Sequence, residues 1–202
     1  MSSASPSPGS TTRAAVTARL RAVLLDPGQA AALEVMGRVD AAVLIPLFVD
    51  GDGALHAVLT RRRDDLRRHA GEISFPGGRR DPGDADLRAT ALREAEEEIG
   101  LPAGAVEVVG ALQPTPTIAT DYAVYPFVGL IGPGHRWRPS AAEVAEVLEL
   151  PLAALQAGRG RRRIVRRGLP ILTDTFVVGE TLVWGATARM LTELLARLAA
   201  AP

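Results

Sequence analysis

In the stretch GRRDPGDADLRATALREAEEEIGL, Gly78 to Leu101, three glutamates stand at i, i+3 and i+4: Glu94, Glu97 and Glu98. At about 3.6 residues per turn they project from one face of a helix within a single turn. The spacing predicts that helix over 85–99, with Gly100 ending it. Like charges this close repel by roughly 0.2–0.5 kcal/mol per pair on an exposed helix, and a purely structural surface would interleave cations. Something positive is therefore expected between them. Hard divalent ions with all-oxygen shells, Mg²⁺ or Mn²⁺, suit such a cluster and also bind diphosphate oxygens. A metal held there would neutralise phosphate charge, lower the pKa of a bound water and orient its attack on phosphorus. The bland alternative is a solvated acidic helix face, which is common for glutamate runs in general.

Outward from this segment, composition sets bounds. The chain has 202 residues, nearly half of them apolar, enough for one domain with a buried core. Its 23 cations, all arginine, balance 23 acids. Zero net charge creates no global field toward nucleic acid or anionic membrane, so neither is expected as a partner. Without cysteine there is no disulfide, no thiolate nucleophile and no Cys-ligated metal, so a metal must sit on oxygen or histidine. The longest apolar runs, such as Ala41 to Val49, fall far short of the roughly 20 residues of a membrane helix. The opening MSSASPSPGSTT lacks the cationic start and apolar centre of a signal peptide, and a cytoplasmic location is the expectation.

The pattern along the chain implies a layered α/β (α+β) domain. Residues 1–12 read as a disordered tail and 13–202 as a single domain with an N-terminal helical extension, 13–38. Thr12 caps a helix over 13–25, with Val16, Leu20, Val23 and Leu24 in one stripe, and a second helix follows over 28–37. Ala41 to Val49 reads as a strand buried on both faces, with Pro46 marking a bulge or local edge. Asp50 to Gly53 supplies the turn into a partner strand, Leu55 to Arg62. Further strands are expected over 105–112, 122–131, 162–166 and 171–178, a short helix after Pro151, and a last helix over 184–200. The six arginines between Arg159 and Arg167 lack interleaved aromatics and read as a solvated hairpin rather than an RNA site. Trp184 reads as core, and His56 and His135 show no ligand spacing.

The central segment resembles the Nudix box, G-x5-E-x7-R-E-U-x-E-E-x-G-U with U aliphatic. Arg93-Glu94-Ala95-Glu96-Glu97-Glu98-Ile99-Gly100-Leu101 fits its second half. The first half departs: Gly78 lies fifteen positions before Arg93 instead of fourteen, and Asp84 or Asp86 replaces the isolated glutamate. A loop one residue longer, with aspartates, looks like the coenzyme A pyrophosphatase branch, whose upstream signature is roughly [ST]-x-R-[SA]-x3-R-x3-G-x3-F-P-G-G. Thr60, Arg62, Arg67, Gly71 and Phe75-Pro76-Gly77-Gly78 fall in register, while Arg63 stands where Ser or Ala is usual. Weaker likeness at Tyr125-Pro126-Phe127, Glu143 to Val147 and Trp184 to Ala188 extends the resemblance over about 40–192.

That resemblance implies a Nudix α/β/α sandwich with a mixed sheet, and hydrolysis of coenzyme A or its derivatives to 3′,5′-ADP and 4′-phosphopantetheine. It implies Glu94, Glu97 and Glu98 as metal ligands, with the Gly78 carbonyl a fourth, and Arg93 as the residue holding the glutamates in place. Gly77 and Gly78 suit a tight turn where backbone approaches metal and phosphate. Arg62, Arg67 and His69 are candidates for the substrate's phosphates, the 3′-phosphate in particular. The general base is open among Glu97, Glu98, Glu143 and Glu146. The expected partner is a small nucleotide substrate, and the expected assembly is a monomer or homodimer. Two rivals stand beside this reading: a Nudix hydrolase of ADP-ribose, a dinucleotide or a damaged nucleotide, and a Nudix-shaped sensor that binds without cutting. A pure binder has no use for three clustered acids, which speaks against the sensor.

Overall fold

The computed structural model describes residues 8–65, 71–117, 121–166 and 169–200, so Arg67 and His69 lie outside the described residues. Two helices come first, α1 (Pro8–Val23) and α2 (Pro27–Ala31). The first begins at Pro8 rather than at 13; the fixed φ of proline suits a first helical turn. Asp26 caps the second, its Oδ1 accepting from Gly28 N at 2.9 Å and Gln29 N at 3.0 Å. This helix stops well before the expected 37. Beyond it the Leu33 carbonyl accepts the Tyr125 hydroxyl at 3.1 Å, and Gly37 takes φ +149°, where a Cβ would lie 2.4 Å from Ala123 N. The chain is thus drawn extended along its neighbour rather than continuing to wind.

The long strand β1 (Val39–Val49) is buried on both faces, with Ala41, Ile45 and Leu47 in one core and Ala42, Leu44 and Phe48 in the other. The turn after it is organised by Asp50, whose Oδ1 accepts from Asp52 N at 3.0 Å and Ala54 N at 2.8 Å, and leads into β2 (Leu55–Arg62). These two strands pair only over Leu47–Val49 and Leu55–Ala57. They then part: β3 (Ile73–Ser74) takes over the edge of β2 and β4 (Gly77–Arg79) that of β1, with Phe75-Pro76 between them. Pro46 falls in the gap between the two pairings of β1, so the local edge expected of it is a change of partner in which no ladder donor is needed.

Helix α3 (Leu87–Ile99) crosses one face of the sheet. On the far side of β1, β7 (Tyr122–Leu130) runs parallel to it and carries β5 (Glu107–Ala111) and β6 (Thr115–Thr117) on its other edge. The remaining edge of β2 takes β8 (Val144–Pro151), a strand not expected from the sequence. Only Val144 and Leu150 of its apolar residues are buried, so the alternation that would announce it is weak. A short helix α4 (Leu152–Ala157) precedes a second, antiparallel sheet of β9 (Arg159–Arg166), β10 (Leu169–Val178) and β11 (Thr181–Trp184), and α5 (Gly185–Ala199) closes the described chain. The arginines at 161–163 are exposed on β9, in a hairpin as expected, and Trp184 is half-buried at the end of β11.

The result is a mixed sheet between two layers. On one side α3 packs through Leu87, Ala91, Ala95 and Ile99; on the other Leu20 of α1, Phe176 of β10 and Leu191 and Leu194 of α5 fill the second core. The layered α+β class expected from the sequence is the class observed. No helix among the described residues is long and apolar enough to cross a membrane. Leu20 is fully buried, so α1 belongs to the core. Leu20→Ala should cost about 2–5 kcal/mol in denaturant unfolding, the range for an unrelaxed core cavity; a loss below about 1 kcal/mol would mean that α1 is not docked in solution.

Candidate active site

The acidic face is built on α3. Asp86 caps its start, Oδ1 accepting from Ala89 N at 2.7 Å, and Gly100 ends it in the left-handed region at φ 69°, ψ 28°. Ala91 and Ala95, both fully buried, leave room for the helix axis to approach the sheet. Glu94, Glu97 and Glu98 then meet β4. A Cβ on Gly78 would fall 2.5 Å from the Glu94 carboxylate, and one on Gly77 2.4 Å from the Ala42 carbonyl. Gly77 is thus fixed by the backbone of β1, a side chain at Gly78 would displace the Glu94 carboxylate, and Gly77 N donates to Glu98 Oε2 at 3.3 Å.

One guanidinium organises the cluster. Arg93 Nη1 donates to Glu94 Oε1 at 2.9 Å and Glu97 Oε2 at 3.1 Å; Nε and Nη2 grip Asp84 at 2.9 and 3.0 Å, and Nη2 also reaches the Arg79 carbonyl at 3.1 Å. Asp84 is buried, and it also accepts from Asp81 N at 2.9 Å and Thr90 Oγ1 at 2.8 Å. The hydrogen bonds from Arg93 hold its carboxyl well below the usual carboxylate range, and the same contact raises the Arg93 pKa. The two aspartates left in competition by the sequence therefore divide their roles: Asp84, six positions after Gly78, anchors Arg93, while Asp86 caps the helix. That position after Gly78 was the available signal.

Glu98 is different. Its side chain is 7% exposed, its nearest cation among the described residues is Arg62 Nη1 at 3.7 Å, and burial pushes its pKa up to about 8. Burial also raises Glu94. Arg62, on β2, reaches Glu143 with Nη2 at 3.4 Å as well. Arg61 points elsewhere, to Glu146 at 3.0 Å and Thr181 at 3.3 Å, and Arg63 forks onto Asp65 at 2.8 and 2.6 Å and donates to the Ala141 carbonyl. The structure thus brings Arg62, Gly77, Gly78, Arg93, Glu94, Glu97 and Glu98 together; Arg67 is outside the described residues. His56 binds Asp50 at 2.8 Å and His135 the Gly100 carbonyl at 3.2 Å, so neither joins the acids.

Among the described residues no three acidic or histidine side chains stand close enough to close on a metal ion as they lie. Glu97 is engaged by Arg93, and completing a three-carboxylate set requires it to leave that contact. The donor chemistry nonetheless fits a hard divalent cation. Every donor is an oxygen, Gly78 leaves the space that the Glu94 carboxylate fills, and Glu98 is a buried carboxylate whose nearest cation among the described residues is beyond hydrogen-bond distance.

A family model described as NUDIX domain matches residues 38–168. The chain belongs to the Nudix family. It is 43% identical over 171 residues to the Nudix hydrolase NudL of Salmonella paratyphi B, itself uncharacterized, covering 84% of this chain and 88% of that one. Among solved structures, a C. elegans Ap4A hydrolase binary complex aligns over 80% of this chain and 98% of its own, with TM-score 0.53 and 16% identity. A Nudix hydrolase from Alicyclobacillus acidocaldarius aligns over 80% and 91%, with TM-score 0.51 and 20% identity. At these identities the structures speak for the Nudix fold alone. Nudix hydrolases act on diphosphate bonds and generally use divalent metals such as Mg²⁺ or Mn²⁺.

The buried Glu98 makes a stability prediction. Its folded pKa lies above the unfolded value, so its contribution is complete below about 4.5 and is lost as pH rises toward about 8. The metal-free protein should therefore unfold progressively more easily from pH 5 to pH 8, and Glu98→Gln should flatten that slope. Thermal melts in chelator checked at several pH values measure it; an equal slope in wild type and variant would remove Glu98 as the cause.

Proposed function

We propose that this protein hydrolyses the diphosphate linkage of coenzyme A or its derivatives, releasing 3′,5′-ADP and the corresponding 4′-phosphopantetheine. The observation that carries this reading is the arrangement of the Thr60–Gly78 signature. Its Arg62 and its Gly77-Gly78 meet at the acidic helix, which supports reading the upstream signature and the acids that would hold a metal as parts of one site. Glu94, Glu97, Glu98 and the Gly78 carbonyl would hold Mg²⁺ or Mn²⁺. When bound, the ion supplies charge neutralisation at the diphosphate and an acidified water.

The protein's own groups do the rest. Arg93 gathers Glu94 and Glu97 before any cation arrives, which lowers the cost of bringing three like charges together. Gly78 keeps a side chain out of the space beside the Glu94 carboxylate, and Gly77 lets β4 approach β1 closely. Arg62 faces Glu98, which fits a contact to the diphosphate better than one to the 3′-phosphate suggested by the sequence. A role at the 3′-phosphate then falls to residues such as Arg67. The hydrolase of another nucleoside diphosphate derivative remains the competing reading, because Arg63 departs from the signature.

Incubating the protein with Mg²⁺ or Mn²⁺ and coenzyme A, dephospho-coenzyme A, ADP-ribose, diadenosine polyphosphates and nucleoside triphosphates separates the readings. Coenzyme A or an acyl derivative is expected to give the highest kcat/KM; preference for any other member overturns the substrate assignment. Tight binding without turnover of any member would identify a sensor. Glu97→Gln and Glu98→Gln should each lower kcat by about 10²–10³-fold, as removal of charge directed at the reacting phosphate does elsewhere. Arg62→Ala should weaken coenzyme A and dephospho-coenzyme A alike; selective loss of coenzyme A would return Arg62 to the 3′-phosphate.

A further inference from the structure

We infer that Glu143 is the catalytic base, the carboxylate that takes the proton from the attacking water; the inference rests on the diphosphatase reading above. The other acids are committed elsewhere. Glu94, Glu97 and Glu98 are the acids that would hold a divalent ion, and a carboxylate whose lone pairs face a metal is a poor proton acceptor. Glu146 is turned away: Arg61 donates to it at 3.0 Å and goes on to Thr181, whereas Arg62, the next residue, faces Glu98. Alternation along β2 puts these two arginines, and the acids they bind, on opposite sides.

Glu143 remains, and its surroundings suit the task. Its side chain is 51% exposed, and among the described residues its ion-pair partner is Arg62 Nη2, at a long 3.4 Å, so water can reach it. Arg62 reaches Glu98 with Nη1 at 3.7 Å and Glu143 with Nη2 at 3.4 Å, which puts Glu143 over the same face. The backbone that carries it is stapled on both sides. Arg63 N donates to the Glu143 carbonyl at 3.0 Å, Glu143 N to the Ser140 carbonyl at 3.0 Å, and Ser140 N to the Glu98 carbonyl at 2.8 Å. The loop is therefore fixed at once to the end of β2 and to the turn of α3 that bears Glu98.

In the step itself, the water oxygen bonds to one phosphorus of the diphosphate and the bond from that phosphorus to the bridging oxygen breaks. The bridging oxygen leaves with the second phosphate, and the water proton passes to Glu143, which returns it to solvent. An arriving diphosphate competes with Glu143 for Arg62, so the carboxylate is released from its ion pair as substrate enters.

The test uses the full chain with whichever diphosphate the wild type cleaves best. Glu143→Gln should lower kcat by about 10²–10⁴-fold, the span of a lost general base. KM and Mn²⁺ affinity, the latter from an electron paramagnetic resonance titration, should stay within about twofold. A kcat within about tenfold of wild type overturns the inference, and so does a large loss of Mn²⁺ affinity, which would make Glu143 a ligand. A loss in Glu146→Gln larger than in Glu143→Gln also overturns it. Glu143→Asp, which keeps the charge, should recover part of the rate, and a melting temperature for each variant separates lost chemistry from lost folding. Cleavage of a diphosphate other than the coenzyme A series refutes the proposed substrate while leaving Glu143 tested on that diphosphate. Cleavage of none refutes both.

Discussion

The site depends on the fork between Arg93 and Asp84. Five hydrogen bonds radiate from one guanidinium: two to Asp84, one to the Arg79 carbonyl, and one each to Glu94 and Glu97. A lysine has three donors on a point charge and cannot span a buried aspartate, a strand carbonyl and two helix glutamates at once. Because Asp84 is itself held by Asp81 N and Thr90, the arginine is anchored from the loop and presented to the helix. The cluster still carries more negative than positive charge. That remainder is what the face offers to a cation.

The sheet supplies the other constraint. Parting of β1 from β2 leaves each strand with a free edge, and the Phe75–Gly78 corner fills both by sending β3 to one and β4 to the other. This crossing sets Gly77 against the backbone of β1 and Gly78 against the Glu94 carboxylate of α3, each with less space than a methyl group needs. Glu98 is buried by the same approach, which accounts for its raised pKa. Closeness of backbone to helix and the electrostatic state of the glutamate are two consequences of one packing arrangement.

Elements with strong local signals were legible in the sequence. The helix α3 announces itself through Asp86, a buried stripe and Gly100, and β1 through a continuous apolar run. The glutamates follow from the helix, since their spacing alone fixes their common face. Elements defined by partners were not legible. β3, β4 and β6 are two or three residues long and exist only because a longer strand offers an edge, while β8 is too exposed to alternate clearly. The early end of α2 is set by Tyr125 and Ala123, some ninety positions away in sequence. The same holds within the site. Arg62 was visible as a basic residue in a signature, but its place beside Glu98 and Glu143 depends on the pairing of β2 and on a loop more than eighty residues downstream.

Strand alternation also bears on Arg63, the one position that departs from the upstream signature. Three consecutive arginines look interchangeable in sequence, yet each meets a different acid: Arg61 takes Glu146, Arg62 takes Glu98 and Glu143, and Arg63 takes Asp65. Of the three, the middle one faces Glu98 of the acidic helix. Arg63 is occupied with its own turn and with the Ala141 carbonyl, in the loop that leads to Glu143. Its guanidinium is therefore turned away from the acidic face of α3. A small residue there would keep the backbone bond to the Glu143 carbonyl and lose the side-chain bond to the Ala141 carbonyl, so the departure adds one fastening to the 140–143 loop.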